Sequence, residues 1–352
     1  MRFLWVSFLA VLLAGCVSAN SVEDLPPLKL ATAGPLAALP APRLETDRLI
    51  AADGAALPLR HWLPEGTPKA VILALHGFND YSNAFAIPGA AWAQRGIATY
   101  AYDQRGFGAA PGRGRWAGER RLVEDAATAM GLLHQRYPGV PVYLLGESMG
   151  GAVAILAASG RDGVPVPATD GVILVAPAVW GRQTMTLIER VGLWLADLMP
   201  AVKWSPDLLP VRIQPSDNIP MLRALGADPL VIKDTRADAV NGLVDLMSAA
   251  LNAGPWFDAP ALLLYGECDQ VVPRAPVAHF AASLPRRVRT SQRVALYPKG
   301  YHMLLRDLDG PLLIADVAAW IGAPEAPLPS GADLGARARL TGEPEPMKAA
   351  AR

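Results

Sequence analysis

Short, nearly continuous apolar runs recur along the middle of the chain, and segments with helical patterns separate them. The runs predict strands at residues 48–52, 57–63, 70–75, 97–102, 142–145, 171–176, 261–266 and 293–297. Most of these runs lack the polar alternation of a half-exposed strand, which is typical of strands that are covered on both faces. Segments 81–95, 118–137, 152–158 and 304–321 have helical character. Such alternation predicts an α/β fold with a mostly parallel, doubly wound sheet.

A long insertion, at about 177–259, interrupts this alternation between two predicted strands. It is too long for a plain crossover connection. Residues 185–199 are apolar with few charges, 239–251 are amphipathic, and a proline-rich stretch lies between them. We expect a helical cap that folds over the strand ends. Its tryptophans and methionines are predicted to form the cap core, with some of them left to line an apolar substrate tunnel or to touch a membrane.

Both ends of the chain differ in composition from the middle. Arg2 precedes a run of apolar and small residues at 3–13, too short to cross a bilayer, which predicts a secretory signal peptide at 1–15. Residues 16–43 are rich in Pro, Ala, Leu and Ser and are predicted to form a flexible tether. The main domain is expected at 44–322. Residues 323–352, rich in Pro, Ala, Gly and Glu, are predicted to be largely disordered.

The composition narrows the classes of function. Hydrophobic residues make up 52% of the chain and charged residues 18%, which favours a globular domain with a large core. Lys plus Arg equals Asp plus Glu, at 32 each, so no overall field would attract nucleic acid, and none is predicted as a partner. Two cysteines cannot build a disulfide framework, and the five histidines show no zinc-binding spacing. We therefore expect no metal and no cofactor.

The clearest chemical signal lies where the predicted strand at 142–145 ends. The sequence Gly146-Glu147-Ser148-Met149-Gly150 follows it directly, and an Ala-rich helical run comes next. A strand, a tight turn and a helix are the context in which Gly-x-Ser-x-Gly indicates a nucleophile elbow. Side chains at the two glycines would collide with neighbouring elements, so Ser148 is expected to adopt a strained backbone conformation with an exposed hydroxyl. Ser148 is the predicted nucleophile.

A serine nucleophile needs a general base and a carboxylate that orients it. In the strand–elbow–helix arrangement the acid and the histidine follow the serine in the chain. His279 and His302 are the candidates, and we select His302 because it lies directly after the last predicted strand. Glu267 and Asp269 follow the preceding strand, and we select Asp269 because it lies further past the strand end.

Ester or amide cleavage also needs two backbone N–H groups aimed at the developing oxyanion. Met149 follows the nucleophile and Phe78 follows His76-Gly77 after an earlier strand, so their N–H groups are the predicted oxyanion hole. His76 is expected to brace this loop. Farther along, Asp103 and Arg105 are expected to form a structural pair behind the elbow.

Taken together, the motifs resemble those of the monoacylglycerol lipase and lysophospholipase group of α/β hydrolases, which is also catalogued with serine aminopeptidases. The resembling motifs are His76-Gly77-Phe78, Tyr102-Asp103-Gln104-Arg105-Gly106-Phe107-Gly108, the elbow at Ser148, Gly266-Glu267-Cys268-Asp269 and Tyr301-His302. The resemblance covers roughly residues 49–321 and implies an α/β-hydrolase fold with a cap. It also implies cleavage of single-chain lipid esters, from monoacylglycerols or lysophospholipids, through a serine acyl-enzyme. Glu147 departs from many members, which have His there.

A second, short resemblance concerns the N-terminus. Leu13-Ala14-Gly15-Cys16 is similar to the lipobox of bacterial lipoproteins. The resemblance implies cleavage before Cys16, acylation of its thiol, and a membrane anchor that does not span the bilayer. The chain would then be exported and held in the bacterial cell envelope. An ordinary signal peptide with an incidental cysteine is the alternative.

The sequence thus predicts a serine ester hydrolase with a small lipid ester as its substrate. An acyltransferase or a peptidase that uses the same three residues is an alternative within the enzymes. A non-catalytic lipid-binding lipoprotein on the same scaffold is an alternative outside them.

Overall fold

A mixed sheet with helices on both faces forms the body of the domain in the computed structural model, which describes residues 40–161, 163–204 and 213–343. The predicted signal peptide, Cys16 and the tether up to residue 39 lie outside these residues. The strands are β1 Arg43–Leu44, β2 Arg48–Ile50, β3 Ala56–Trp62, β4 Ala70–Leu75, β5 Ile97–Tyr102, β6 Val142–Glu147, β7 Gly171–Val175, β8 Lys203–Trp204, β9 Thr235–Arg236, β10 Ala261–Gly266 and β11 Gln292–Tyr297. The helices are α1 Ala86–Ala93, α2 Glu119–Arg136, α3 Met149–Ser159, α4 Leu187–Asp197, α5 Ile219–Ala227, α6 Ala237–Ala253, α7 Arg274–Ser283, α8 Gly310–Gly322 and α9 Ala336–Thr341.

The main sheet has the order β1-β2-β3-β5-β4-β6-β7-β10-β11 within the described residues. Strands β1, β2 and β3 pair antiparallel at one side, and β3 pairs antiparallel with β5. From β5 to β11 every pairing is parallel. Strands β4 and β6 are buried along their whole length, as their continuous apolar runs predict. The α/β-hydrolase fold is therefore confirmed, and the carboxyl ends of its parallel strands meet at one edge.

Helix α3, which follows the elbow, is buried within the domain. Residues 149–158 are all buried, and the helix packs on the sheet, on α2 and on α6. A helix that is apolar on every side is typical of a buried position. The start of α3 is thereby fixed relative to the sheet.

The insertion between β7 and β10 forms the cap. It contains α4, α5 and α6 together with the short antiparallel pair β8 and β9. Helix α5 lies in the stretch that the sequence analysis described only as proline-rich. Its local signals are Asn218, whose side chain accepts a hydrogen bond from the Met221 N–H, and Pro220 in the first turn.

The predicted disorder from residue 323 is wrong for the part of the tail that the structure describes. Residues up to 343 continue along the domain, and Leu328, Ala336 and Leu340 are buried. The Arg337 guanidinium donates to the carbonyl oxygens of Ala281 and Gln292, at 3.0 and 2.7 Å. Apolar anchors in a polar, proline-rich stretch explain why composition alone suggested disorder. Residues 344–352 lie outside the described residues.

At the other end, the sheet begins at Arg43, the last residue of the predicted tether, which pairs with Ile50. None of the helices in residues 40–161, 163–204 and 213–343 has the length and apolar character needed to span a bilayer.

Candidate active site

The turn between β6 and α3 holds Ser148 in a strained conformation. Its φ is +54° and its ψ −116°, in a region that side chains rarely adopt. A Cβ at Gly146 would overlap the carbonyl of Gly150, and a Cβ at Gly150 would overlap the carbonyl of Leu75 on β4. The Ser148 N–H donates to the Val175 carbonyl at 3.0 Å. The two glycines therefore permit a turn that the neighbouring strands keep in place.

The structure brings Ser148, His302 and Asp269 together in one hydrogen-bonded chain. His302 Nε2 lies 2.9 Å from Ser148 Oγ, and His302 Nδ1 lies 2.8 Å from Asp269 Oδ2. Because a carboxylate only accepts, the proton of the neutral imidazole belongs on Nδ1, and Nε2 is free to accept from the serine hydroxyl. These side chains lie after the ends of three separate strands. Ser148 and His302 are 154 residues apart in the sequence.

Asp269 is held so that one oxygen faces the histidine. Its Oδ1 accepts from the N–H groups of Val271 and Val272, at 2.7 and 3.0 Å, which leaves Oδ2 for His302. The Asp269 side chain is fully buried. Its neighbour Glu267 instead forms an ion pair with Arg274, at 2.7 Å. The geometry therefore distinguishes the two carboxylates that the sequence offered.

The alternative histidine does not belong to this site. His279 lies on α7 and is exposed. Its position within a helix keeps it away from the strand ends, whereas His302 lies in the loop after β11.

Phe78 and Met149, whose N–H groups are predicted to bind the oxyanion, lie on two elements beside the serine. Phe78 lines the same cavity as Ser148, and Met149 follows Ser148 as the first residue of α3. Gly77 brings its loop close: a Cβ there would lie 3.3 Å from the Ser148 Cβ. Backbone N–H groups that are fixed in place need little reorganisation when charge develops on a substrate oxygen.

His76 braces the loop that carries Phe78. Its Nδ1 lies 2.8 Å from the Gly77 carbonyl, and its Nε2 accepts from the Gln104 N–H at 2.9 Å. Burial lowers the pKa of His76, so the ring stays neutral and suits this pattern of one donor and one acceptor.

The pair expected between Asp103 and Arg105 does not form. Asp103 accepts from the Ser82 hydroxyl and backbone, at 2.5 and 3.1 Å. Arg105 instead binds Asp53 and Asp125. Both residues lie past the end of β5 at Tyr102, where no regular strand geometry fixes the directions of their side chains, so their opposite charges were a poor guide to contact.

A cavity of about 770 Å³ opens in front of Ser148 and His302, between the strand ends and the cap. Most of its wall is apolar. The cap contributes Trp180, Met185, Leu193, Leu225, Val231, Val240, Leu243, Val244 and Met247 to this wall. Its size and lining are typical of a site for a small, largely apolar ligand.

One part of the cavity wall is charged, and among its residues the sequence motifs pointed only to Glu147. Arg306, Asp80 and Glu147, together called the Arg306 cluster, lie in this wall. Arg306 Nη1 is 2.7 Å from Asp80 Oδ2, and Nη2 is 3.3 Å from Glu147 Oε2. Burial raises the pKa of Glu147, although Arg306 acts in the opposite direction. Burial alone would lower the pKa of Arg306, but Glu147 and Asp80 outweigh it and raise that pKa.

The described residues contain no group of three or more His, Cys, Asp or Glu side chains that could hold a metal ion. Cys268, beside Asp269, is a half-buried free thiol that donates to the Pro298 carbonyl at 3.3 Å.

Comparison with known proteins shows which family model and which relatives the chain is similar to. The family model described as "Serine aminopeptidase, S33" matches residues 66–309. Human monoglyceride lipase is 28% identical over 271 residues, which are 76% of this chain and 86% of that protein. Monoacylglycerol lipase of Mycolicibacterium smegmatis is 25% identical over 267 residues, which are 74% of this chain and 90% of that protein.

Solved structures share the fold. A soluble variant of Saccharomyces cerevisiae monoglyceride lipase, in complex with a substrate analog, has a TM-score of 0.64 at 20% identity, covering 81% of this chain and 98% of that chain. Monoacylglycerol lipase of Paleococcus ferrophilus has a TM-score of 0.61 at 21% identity, covering 75% and 98%.

Proposed function

The chain belongs to the serine aminopeptidase S33 family of α/β hydrolases, and from this premise we propose that it cleaves single-chain lipid esters with Ser148, His302 and Asp269 as its catalytic triad. The observation that carries the proposal is the imidazole of His302, which bridges Ser148 Oγ and Asp269 Oδ2 at hydrogen-bond distance. The enzyme is a serine ester hydrolase. What we propose in addition is which residues catalyse the reaction and which esters are cleaved.

In the proposed reaction, Ser148 Oγ attacks the carbonyl carbon of the ester while His302 Nε2 takes the hydroxyl proton. The oxyanion that forms accepts hydrogen bonds from the Phe78 and Met149 N–H groups. When the tetrahedral intermediate collapses, the C–O bond of the ester breaks and the imidazolium gives its proton to the leaving alcohol. Water then attacks the acyl-enzyme by the same path, and Ser148 is restored with release of the fatty acid. Asp269 stays ionised and orients His302 throughout.

The shape and lining of the cavity support a lipid substrate. A mostly apolar space of about 770 Å³ suits an acyl chain better than a peptide, whose backbone needs polar partners along its length. The named relatives that the chain resembles over three quarters of its length are monoglyceride lipases. Monoacylglycerols and lysophospholipids both present one acyl chain, and both belong to the proposed substrate class.

Helix α4 of the cap supports access from a lipid phase. One side contributes Gly192 and Leu193 to the cavity, while Leu187, Ile188 and Trp194 are 74%, 84% and 60% exposed. A contiguous exposed apolar surface is typical of a site of contact with another apolar phase. A substrate that leaves a membrane or micelle would enter beside this helix.

A substrate panel tests the proposal. The purified protein is offered monoacylglycerols of several chain lengths, lysophospholipids, p-nitrophenyl esters and aminoacyl amides, with Ser148→Ala as the control. Release of fatty acid from the lipid esters by wild type alone is the expected result. Cleavage of amides alone would identify a peptidase, and transfer of the acyl group to added glycerol an acyltransferase. Binding without turnover would support the non-catalytic lipoprotein.

We also propose that the protein is exported and anchored in the bacterial envelope by acylated Cys16, on the basis of the lipobox-like Leu13-Ala14-Gly15-Cys16. Metabolic labelling with an alkyne fatty acid and membrane fractionation test this. Cys16→Ser is expected to lose the label and to leave the membrane fraction. Label and membrane retention that survive the substitution would refute the anchor.

A further inference from the structure

The Arg306 cluster joins three loops that each carry part of the catalytic machinery. Asp80 lies two residues after Phe78, on the oxyanion loop, and Glu147 directly precedes Ser148 on the elbow. Arg306 lies four residues after His302, in a short 3₁₀ turn at Leu304–Arg306. The guanidinium of Arg306, which lies on the third loop, therefore contacts the other two loops.

The contacts are buried and specific. None of the side chains of Arg306, Asp80 and Glu147 is more than 8% exposed. Arg306 Nη1 meets Asp80 Oδ2 and Nη2 meets Glu147 Oε2, so the two ends of one planar group face two different loops. A lysine ammonium is a single point of charge and cannot reproduce this fork.

Stability alone is a weak reason for such an arrangement. Apolar side chains of the same shape often stabilise a core as well as or better than a buried ion pair, because desolvation of the charges is costly. Buried ionic groups can, however, fix one geometry in preference to others. In the wall of a catalytic cavity, a fixed geometry determines how the reacting groups are placed relative to one another.

We propose that Arg306 is a positioning residue for the reaction, and that through Asp80 and Glu147 it fixes the oxyanion loop and the elbow relative to the His302 loop. The inference rests on the proposed function of Ser148 and His302. Arg306 also ties the cap to this loop, because its carbonyl oxygen accepts from Asn218 Nδ2 at 2.9 Å. A loss of the guanidinium is expected to misplace reacting groups rather than to weaken substrate binding.

The chain contains a matched control. Arg105 also lies between two carboxylates, with Asp53 at 2.7 Å and Asp125 at 2.6 Å, and its side chain is 12% exposed. None of these three residues lines the cavity in front of Ser148. Arg105→Lys therefore breaks the same kind of ion cluster at a place where only stability should respond.

The experiment compares Arg306→Lys with Arg105→Lys in the full chain. The measurements are the rate of covalent labelling by a fluorophosphonate probe, kcat and KM for p-nitrophenyl butyrate, and the thermal midpoint of unfolding. For Arg306→Lys we expect kcat and the labelling rate to fall roughly 10- to 100-fold with KM within about threefold, because small misplacements of reacting groups have effects of this size. For Arg105→Lys we expect both rates to stay within about twofold of wild type.

Wild-type rates in a folded Arg306→Lys protein would overturn the proposal, and so would equal losses in the two variants. If Arg306→Lys does not fold, Glu147→Gln decides, because it keeps the side-chain shape and removes the charge that faces Arg306. A labelling rate at least threefold below wild type supports the positioning role, and an unchanged rate rejects it. Labelling does not depend on the natural substrate, so failure of wild type to cleave lipid esters would reject the proposed substrate without affecting this comparison.

Discussion

The backbone N–H of His302 donates a hydrogen bond to the carbonyl oxygen of Pro215, at 3.1 Å, and the next N–H, of Met303, donates to the same oxygen at 2.9 Å. Pro215 lies in the cap insertion. The histidine of the candidate triad is therefore in direct contact with the segment that shapes the substrate cavity, and the packing of the cap bears on the position of the imidazole.

Ser216 offers a test of this coupling. Its hydroxyl donates to Asp307 Oδ1 at 2.6 Å, while Asp307 Oδ2 accepts from the Tyr301 N–H beside His302, at 2.7 Å. Ser216→Ala should lower kcat for a short ester roughly tenfold, because it leaves a buried carboxylate oxygen without its partner and loosens the histidine loop. Thr128→Ala, which removes a hydroxyl that bonds only within α2, should leave kcat unchanged. Equal kcat in both variants would contradict the coupling.

Asp269→Asn separates the two carboxylates that the sequence offered. The amide cannot hold His302 in the required tautomer, so kcat should fall by about 10⁴-fold with little change in folding. Glu267→Gln removes only an ion pair with Arg274 and should retain activity within about twofold. Steady-state kinetics with p-nitrophenyl butyrate checks both variants. A large loss in Glu267→Gln would reverse the assignment.

Gly150→Ala should be poorly tolerated, because the new Cβ would overlap the carbonyl of Leu75. We expect a free energy of unfolding lower by about 1–3 kcal/mol or more, the usual cost of overpacking, and a displaced Ser148. Gly131→Ala provides the contrast. Its Cβ would meet nothing within 4 Å inside α2, so the higher helix propensity of alanine should stabilise the protein by about 0.5–1 kcal/mol. Denaturant unfolding measures both.

The buried carboxyl group of Glu147 should make the stability of the folded protein depend on pH. Burial raises its pKa above the ordinary value of 4.5, so the folded state holds this proton more tightly than the unfolded state does. As pH rises above about 4.5, the unfolded state ionises first and the contribution of Glu147 to stability falls. The thermal midpoint of Glu147→Gln, relative to wild type, should therefore increase between pH 4.5 and 7. Glu65→Gln, on an exposed loop, is the control. A difference that decreases with pH would contradict the raised pKa.

Leu243 tests the position of the acyl chain. It lies on α6 and lines the cavity, so Leu243→Trp should fill part of the space and shift preference toward shorter acyl chains. The ratio of kcat/KM between long- and short-chain monoacylglycerols measures this shift. Leu63→Trp, at an exposed site at the end of the sheet, should leave the ratio unchanged. An unchanged ratio in Leu243→Trp would place the chain elsewhere.

The strands and the elbow could be predicted from the sequence because their signals are local. Continuous apolar runs mark β4 and β6, and the glycines around Ser148 report the sharp turn directly. The choice of His302 and Asp269 used only chain order and position after a strand, and the structure places His302 beside Ser148 and Asp269 beside His302.

Contacts between distant residues could not be predicted in the same way. Arg306 meets Glu147 across 159 residues, and no local pattern marks either residue as a partner of the other. The expected pair of Asp103 and Arg105 failed for the same reason, since each finds a partner elsewhere in the fold. Opposite charge is common on any surface, and only the folded geometry decides which charges meet.

The C-terminal tail has a consequence for association between molecules. Strand β11 is the last strand on its side of the sheet in the described chain, and an uncovered edge strand offers free N–H and C=O groups to any other strand. Here the Leu296 N–H donates to the Ala332 carbonyl, and α9 packs beside the strand through Ala336 and Leu340. The tail therefore closes an edge at which molecules could otherwise pair. Removal of residues 324–352 should expose that edge and promote aggregation while leaving every residue of the candidate triad in the chain.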